Sequence, residues 1–313
     1  MNEPLNPNWQ ESSAPDTGLR SVNAPGRWSC LLFDSELLQV GAMRQFPDSP
    51  MWGGGHDTGP GFSLGFPQRA MEYQRDNHDW VVGSANGVFL NNPFSQYQRR
   101  KIDPAGEYTE WFRFDFEAGL EVIRHHDPGS AERGPQSVRS SLAYRTGTLF
   151  KMQRRLHASL RNDPLPDPME IEEAAFRLLD RTVRSALEAD GRSSIVQRAS
   201  TARAHRAIAH DASRFIAANF RAPLDAAEIA RAACTSRPSL FRAFRSCTGM
   251  TVHRFLTVLR LREAFGQLEN TSLPITELAF ALGFSSHAHL SSSFQREFGT
   301  TPMSVRGASQ DPS

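Results

Sequence analysis

The sequence predicts an α+β protein: an N-terminal antiparallel β-barrel, a helical segment, and an all-α C-terminal domain carrying two copies of one two-helix unit. Three observations lead there. Up to residue 147 the chain is built of short apolar runs at roughly ten-residue spacing, broken by Gly, Pro, Asn and Asp, the pattern of antiparallel strands and tight turns. From residue 148 the apolar spacing lengthens to the period of a helix. Near the C-terminus, one stretch of sequence occurs twice.

Composition sets the bounds. At roughly 150 residues per domain, 313 residues suit two domains, and 39% hydrophobic against 22% charged residues is enough apolar surface to bury cores. A mean hydropathy of -0.46 and the lack of any apolar run near 18 residues argue against a membrane helix. MNEPLNPNWQESSAPD lacks the basic start and apolar stretch of a secretory leader, so a cytoplasmic protein is expected. Cys30, Cys234 and Cys247 include no CxxC pair, which points away from a disulfide scaffold and a zinc site. The net charge of +1 is unevenly spread. From residue 201 onward there are 13 arginines, no lysine and 8 acidic residues, so the C-terminal third is basic and suits a polyanion.

The elements follow in order. Residues 1–26, rich in Pro, Asn and Ser, read as a flexible tail. Residues 27–147 read as the barrel, with strands in SCLLFDS, ELLQVGAMRQF, GFSLGF, DWVVGSANGVFLNNP and TEWFRFDF. Asn86-Gly87 and Asn91-Asn92-Pro93 are turn signals. Over 148–188, Leu149, Met152, Leu156 and Leu160 make one helical stripe, and Ile171, Ala174, Ala175, Leu178 and Val183 another. Asp167-Pro168 followed by Glu170 and Glu172 is a helix start. Residues 189–203, polar and Arg-rich, read as a linker, and 204–307 as the C-terminal domain.

The repeat gives that domain its character. Leu240, Phe244 and Gly249 in IARAACTSRPSLFRAFRSCTGMT recur as Leu290, Phe294 and Gly299 in LAFALGFSSHAHLSSSFQREFGTT. Ala230 recurs as Ala279. In each copy a short helix opened by Ala leads to a Ser-containing turn. A second helix then carries Leu and Phe at i and i+4 and closes at Gly. This is a helix-turn-helix: the small Ala lets the helices approach, the Leu/Phe stripe locks the second onto the first, and its other face stays free. Residues 251–270 join the copies as a helix with a buried stripe of Val252, Phe255, Leu256, Leu259, Phe265 and Leu268, and with Arg254, Arg260 and Arg262 outside it.

Over about 201–307 the chain resembles the AraC-type transcriptional regulators. ITELAFALGFSSHAHLSSSFQREFGTTPMSVR, with Ala279-x3-Gly-Phe284 and Gly299-x2-Pro302, is similar to that family's signature. The resemblance implies seven helices, with two recognition helices in successive major grooves of double-stranded DNA. It also implies a homodimer formed through the helical segment, and an activator that meets RNA polymerase. Less closely, the N-terminal region, GVFLNNPFSQYQRR above all, resembles the cupin-like sensor domain of many such regulators.

The first recognition helix, opened by Ser236, presents Arg237, Ser239, Phe241, Arg242 and Arg245 outward. Arg242 stands where similar regulators place a base-reading side chain, and Arg237 and Arg245 suit phosphate. The second presents His287, Ser291 and Ser292, with Ala288, Gln295 and Arg296 beside them. Because residues 271–307 carry no net charge, the first unit is expected to supply most of the affinity. In the barrel, Tyr73, Arg75, Trp80, Tyr97, Arg99, Trp111 and Arg113 are candidate contacts for a small-molecule effector, by residue type and strand placement. Enzyme chemistry is not expected: the N-terminal region holds no His-x-His ligand pair, no GxGxxG or P-loop occurs, and Gly53-Gly54-Gly55 lacks a following Lys-Ser/Thr. No cofactor or metal is expected either, and Cys30, standing alone, does not suit the alkyl-accepting repair regulators. Two functions stand: a regulator whose barrel senses a small molecule, or a ligand-independent regulator whose N-terminal half is a protein-interaction and dimerisation module.

Overall fold

The computed structural model describes residues 21–24, 26–162, 166–193 and 199–310. Eleven strands come first: β1 (Ser21–Ala24), β2 (Arg27–Asp34), β3 (Leu38–Gln45), β4 (His56–Asp57), β5 (Phe62–Pro67), β6 (Met71–Arg75), β7 (Val81–Gly83), β8 (Gly87–Asn91), β9 (Gln96–Lys101), β10 (Glu107–Phe114) and, after α1 (Phe116–His126) and α2 (Ser130–Arg133), β11 (Leu142–Tyr144). The helices α3 (Gly147–Asn162) and α4 (Pro168–Ser193) complete this body. A helical domain follows: α5 (Ala199–Asn219), α6 (Ala226–Ala232), α7 (Arg237–Thr248), α8 (Val252–Asn270), α9 (Ile275–Ala281), α10 (His287–Phe298) and α11 (Pro302–Gln310).

The expected barrel is instead two open sheets. One has seven strands in the order β1-β2-β3-β10-β5-β8-β11, the other four in the order β4-β9-β6-β7, all pairs antiparallel. Among the described residues nothing joins the ends of either sheet. The β4 and β7 strands, two and three residues long, are too short to bridge them. Run spacing in a sequence reports strands but not closure.

The middle strand, β10, organises the body because strand side chains alternate between faces. Its even positions Glu110, Phe112 and Phe114 point one way, with Leu38, Val40, Phe62, Leu64, Phe66, Val88 and Leu90 of the neighbouring strands. The helices α1, α3 and α4 cover this face. Its odd positions Glu107, Thr109, Trp111 and Arg113 face the small sheet, where Arg99 of β9 meets Glu107 at 2.7 Å. The result is three layers: helices, large sheet, small sheet.

Other boundaries also move. A strand lies within the expected tail: Ser21–Ala24 pairs with β2, and Gly26 supplies the left-handed turn residue, φ 71°. Residues 1–20 are outside the described part. The expected linker is helical at both ends, 189–193 closing α4 and 199–203 opening α5, while 194–198 are not described. The helical stripes are used within the chain. Leu149, Leu156 and Leu160 and Ile171, Ala175, Leu178 and Val183 are buried in the core under the large sheet, with Met152 and Ala174 packed partly against it. Asp167 starts α4 as expected, its carboxylate accepting the Met169 N–H at 2.9 Å.

One charged group sits inside this core. The fully buried Glu110 carboxylate accepts from Gln153, from Arg154 at 3.1 Å and from Gln68 at 3.4 Å, and lies 3.2 Å from His157 Nδ1. Burial alone would raise its pKa. His157, Arg154 and Arg161, with the Gln153 amide, outweigh burial and hold it below the ordinary value. Burial pushes His157 down to about 4 from 6.5, against the pull of Glu110. Both groups bind protons more readily in the unfolded chain. Stability is therefore expected to fall as pH drops from about 6.5 toward 4. Denaturant titrations at neutral pH and near pH 5 would read this, and His157→Gln is expected to flatten the dependence.

Candidate nucleic-acid interface

The two helix-turn-helix units are α6–α7 and α9–α10, and the Ser and Gly caps expected of each second helix are in place. Asp225 and Glu228 form a capping box at the start of α6. The Ser236 and Ser286 hydroxyls accept the Ser239 and His289 N–H groups at 3.4 and 3.1 Å, opening α7 and α10. Gly249 and Gly299 close those helices in the left-handed conformation, φ 70° and 66°. Leu240, Phe244, Leu290 and Phe294 have no exposed surface, so each second helix is held by its Leu/Phe pair. Ala230 and Ala279 are buried where the helices meet, and each carbonyl accepts an N–H from the turn at 2.9 Å. Sequence reading missed one detail. Four residues after each Ala the turn needs a left-handed residue, which is Gly283 in the second unit but Cys234, φ 48°, in the first.

With those faces buried, the opposite faces are open. On α7, Arg237, Phe241, Arg242 and Arg245 are exposed and Ser239 is half-buried, accepting from the Ser236 hydroxyl at 3.0 Å. Phe241 is 49% exposed, a large apolar side chain between two arginines. Arg242 and Arg245 have no ion-pair partner among the described residues. On α10, His287 and Ser292 are exposed and Ser291 is half-buried, 3.5 Å from His287 Nε2. The first surface offers cations at helix spacing around an apolar side chain. The second offers short neutral hydrogen-bonding groups.

The connecting helix α8 buries its predicted stripe, but of its three arginines only Arg254 stays exposed. Arg260 donates to the carbonyls of Phe220, Ala222 and Gly283, all within 2.9 Å, tying the end of α5 to the second turn. Arg254 pairs with Glu297 of α10. Arg262 is 3% exposed and reaches into the sheet-bearing body, donating to Ala85 O (2.8 Å), Asn86 Oδ1 (3.1 Å) and Arg145 O (2.6 Å). Its own-domain counter-charge, Glu297, lies at 3.7 Å, and burial lowers its pKa to about 10. Asn86, expected only as a turn signal, returns a hydrogen bond to Phe255 O at 2.9 Å.

Around this pair the two bodies share a core. Phe150 of α3 packs against Phe265 and Phe298, and Tyr144 against Phe255. Arg154 bridges Glu110 to Glu269 at the end of α8. Gly147 meets the Glu297 backbone so closely that a Cβ would lie 2.1 Å from its carbonyl oxygen. Between the end of β9 and α5, the seam leaves a cleft of about 240 Å3 lined by Lys101, Ile102, Asp211, Arg214 and Phe215 among others.

Of the seven residues expected to contact an effector, six share the space between the sheets. Tyr73 and Tyr97 stack at 5.3 Å, and Arg99 and Arg113 lie near Tyr97 and Trp111. Trp80 does not join them, because it lies under Arg100 at 3.8 Å, on the opposite face of β9. Arg75 is spent on structure, donating to the carbonyls of Leu90, Val138 and Arg139. Tyr73 likewise donates to Asn91 at 2.7 Å.

Residues 229–308 match the family model of a helix-turn-helix domain. Over 84 residues the chain is 43% identical to the HTH-type transcriptional regulator GlxA of Rhizobium meliloti (strain 1021), covering 27% of this chain and 26% of that protein. Over 89 residues it is 37% identical to the HTH-type transcriptional regulator ArgR of Pseudomonas aeruginosa, covering 28% and 27%. The chain thus spans about a quarter of the length of the curated relatives it matches. Among solved structures it is similar to a transcriptional regulator with an AraC-type DNA-binding domain from Chromobacterium violaceum, at 31% identity and a TM-score of 0.33, covering 34% of this chain and 96% of that one.

Arg242→Ala, at an exposed position without a partner, is expected to weaken binding to a preferred DNA sequence by about 1–3 kcal/mol and leave the melting temperature unchanged. Competition binding and calorimetry on the same preparation would check both. Arg262→Ala leaves Asn86 and two carbonyls facing a void. It is expected to destabilise the chain by about 3 kcal/mol and to speed hydrogen exchange at 84–87 and 255–262 together.

Proposed function

Because residues 229–308 are a helix-turn-helix domain of the AraC type, we propose that the whole chain is a sequence-specific regulator of transcription that binds double-stranded DNA through α7 and α10. The observation that carries this is the pair of capped helices, each locked by a Leu/Phe pair with its polar face open. On this reading Arg242 reads a base edge, Phe241 packs against a thymine methyl or sugar, and Arg237 and Arg245 hold phosphates. His287, Ser291 and Ser292 make short polar contacts in the next groove. The uncharged second unit sets register more than affinity.

The sheet-bearing body acts as the controlling half and binds a small-molecule effector. Its support is the seam: a body fixed to α8 by a buried arginine and an aromatic cluster cannot change shape without acting on the helix that spaces the two reading units. A ligand achieves this only by binding one arrangement of the seam better than another. A homodimer in the cytoplasm, activation and contact with RNA polymerase complete the proposal. Since the inward stripes of α3 and α4 are occupied, a dimer uses their outer faces. The chemistry is recognition, with no reaction assigned to any residue.

Selection of bound fragments from genomic DNA with the purified protein, at two salt concentrations, tests the reading. The expected result is a motif in two parts about one helical turn apart, with binding that weakens as salt rises. Binding without any motif would reduce the C-terminal domain to a non-specific anchor.

A further inference from the structure

Two helix-turn-helix units on one chain can meet one duplex together only if the distance and the angle between them are fixed. The connecting helix α8 fixes the distance: at 1.5 Å per residue its 19 residues span about 28 Å. The angle depends on how each unit grips α8. Phe244 of α7 meets Phe255 edge-on at 5.2 Å, and Phe294 of α10 stacks on Phe265 at 5.7 Å. Apolar contacts hold surfaces together without fixing direction, so they leave each unit some rotation about α8.

Arg260, near the middle of α8, supplies the direction. Its Nε donates to Phe220 O at 2.8 Å, and its two terminal nitrogens donate to Ala222 O at 2.8 Å and Gly283 O at 2.9 Å. Phe220 and Ala222 follow the end of α5, the helix that packs on α6 and α7 of the first unit. Gly283 lies in the turn between α9 and α10 of the second. One rigid, planar fork thus ties the main chain beside the first unit to the main chain of the second unit's turn. Main-chain acceptors cannot swing aside as side chains can. Burial lowers the pKa of Arg260 and no carboxylate among the described residues offsets this, so the cation rests on these carbonyls.

The two units differ at this point. Gly283 has φ 71°, and a Cβ there would fall 2.8 Å from the Arg260 guanidinium. Its counterpart in the first unit, Cys234, carries a side chain and is exposed. Both turns need a left-handed residue, but the second has a guanidinium lying where a side chain would go.

Resting on the reading of α7 and α10 as the DNA-binding helices, we propose that Arg260 is a positioning residue that sets the spacing of the two DNA half-sites the chain accepts. It holds the turn before α10 at one angle to the first unit. Each base pair added between half-sites moves the second by about 3.4 Å along the duplex and about a tenth of a turn around it. A clamped pair of units follows neither change. An unclamped pair turns about α8 and recovers part of both.

The half-sites selected by the wild-type chain are rebuilt at their own spacing and with one base pair added or removed. The full-length protein is titrated with each duplex at two salt concentrations. Wild-type binding is expected to weaken at least about tenfold at either altered spacing, as the second unit loses its base contacts. In Arg260→Met, which keeps the stem without its donors, the altered spacings are expected to lie within about threefold of the original. Arg260→Lys keeps the charge but cannot span three carbonyls, and is expected to behave like Arg260→Met. Gly283→Cys, placing at the second turn what the first already carries, is expected to displace the guanidinium and relax the spacing likewise. Melting temperatures report the fold of each variant, so one that unfolds leaves the others to decide. The slope of affinity against salt is expected to match the wild type, because Arg260 is committed to carbonyls and holds no phosphate. Wild-type indifference to spacing overturns the proposal, as do folded variants that keep the wild-type preference. Equal weakening at all three spacings, a shallower salt slope or unfolding of all three variants overturns it too, by making Arg260 a support of the fold or a phosphate contact. A wild-type chain that selects no two-part motif overturns instead the sequence-specific reading on which the proposal rests.

Discussion

Arg262 is the constraint on which the arrangement of the two bodies depends. It belongs to the helix joining the two helix-turn-helix units, yet its guanidinium ends among acceptors of the other body: two main-chain carbonyls and the Asn86 side chain. A buried cation with one carboxylate at 3.7 Å is stable only while those neutral acceptors stay in place. Arg145, itself buried and held far below its ordinary pKa by burial and by Arg262, shares the Ala85 carbonyl. The turn at 84–86 is therefore where the sheet body and the helical domain are made to agree.

A second constraint lies along β10. One side of this strand is a hydrocarbon core with a single carboxylate in it, and the other is a polar interior between two sheets. Glu110 connects the first side to the seam through Arg154 and Glu269. Trp111, the next residue, faces the small sheet. The polar interior between the sheets and the charge network leading to α8 thus share neighbouring positions of one backbone.

The two helix-turn-helix units were legible in the sequence, because their signals are local. Caps at Ser236 and Ser286, closing glycines and the Leu/Phe pairs depend on spacings of three to five residues, and repetition removed the ambiguity of either copy alone. What escaped is tertiary. Arg260 and Arg262 follow ordinary helical spacing, and nothing within α8 shows that another body approaches there. Asn86-Gly87 signals a turn correctly, but a turn signal does not say what the turn touches. Strand runs were visible while their division into two sheets was not, since closure is decided by pairings far apart in sequence. Six of the seven residues expected around an effector fall together between the sheets through their alternation along β6, β9 and β10. Trp80 failed because it precedes its strand, where alternation gives no guidance. The need for a glycine at 147 had no signal at all, since a glycine at the start of a helix is unremarkable.

That glycine gives the seam an unusual mechanical property. At Gly147 the two bodies touch through main chain, not through side chains that can turn aside, so the contact has no compliance. The neighbouring Glu297 lies on the last turn of α10, whose first turn carries His287. A shift of the sheet body at this point is thus passed along a rigid rod to the start of α10, while α7 of the first unit meets the same body through α4. The two units are braced by different elements of one body, one through main chain and the other through a packed helix.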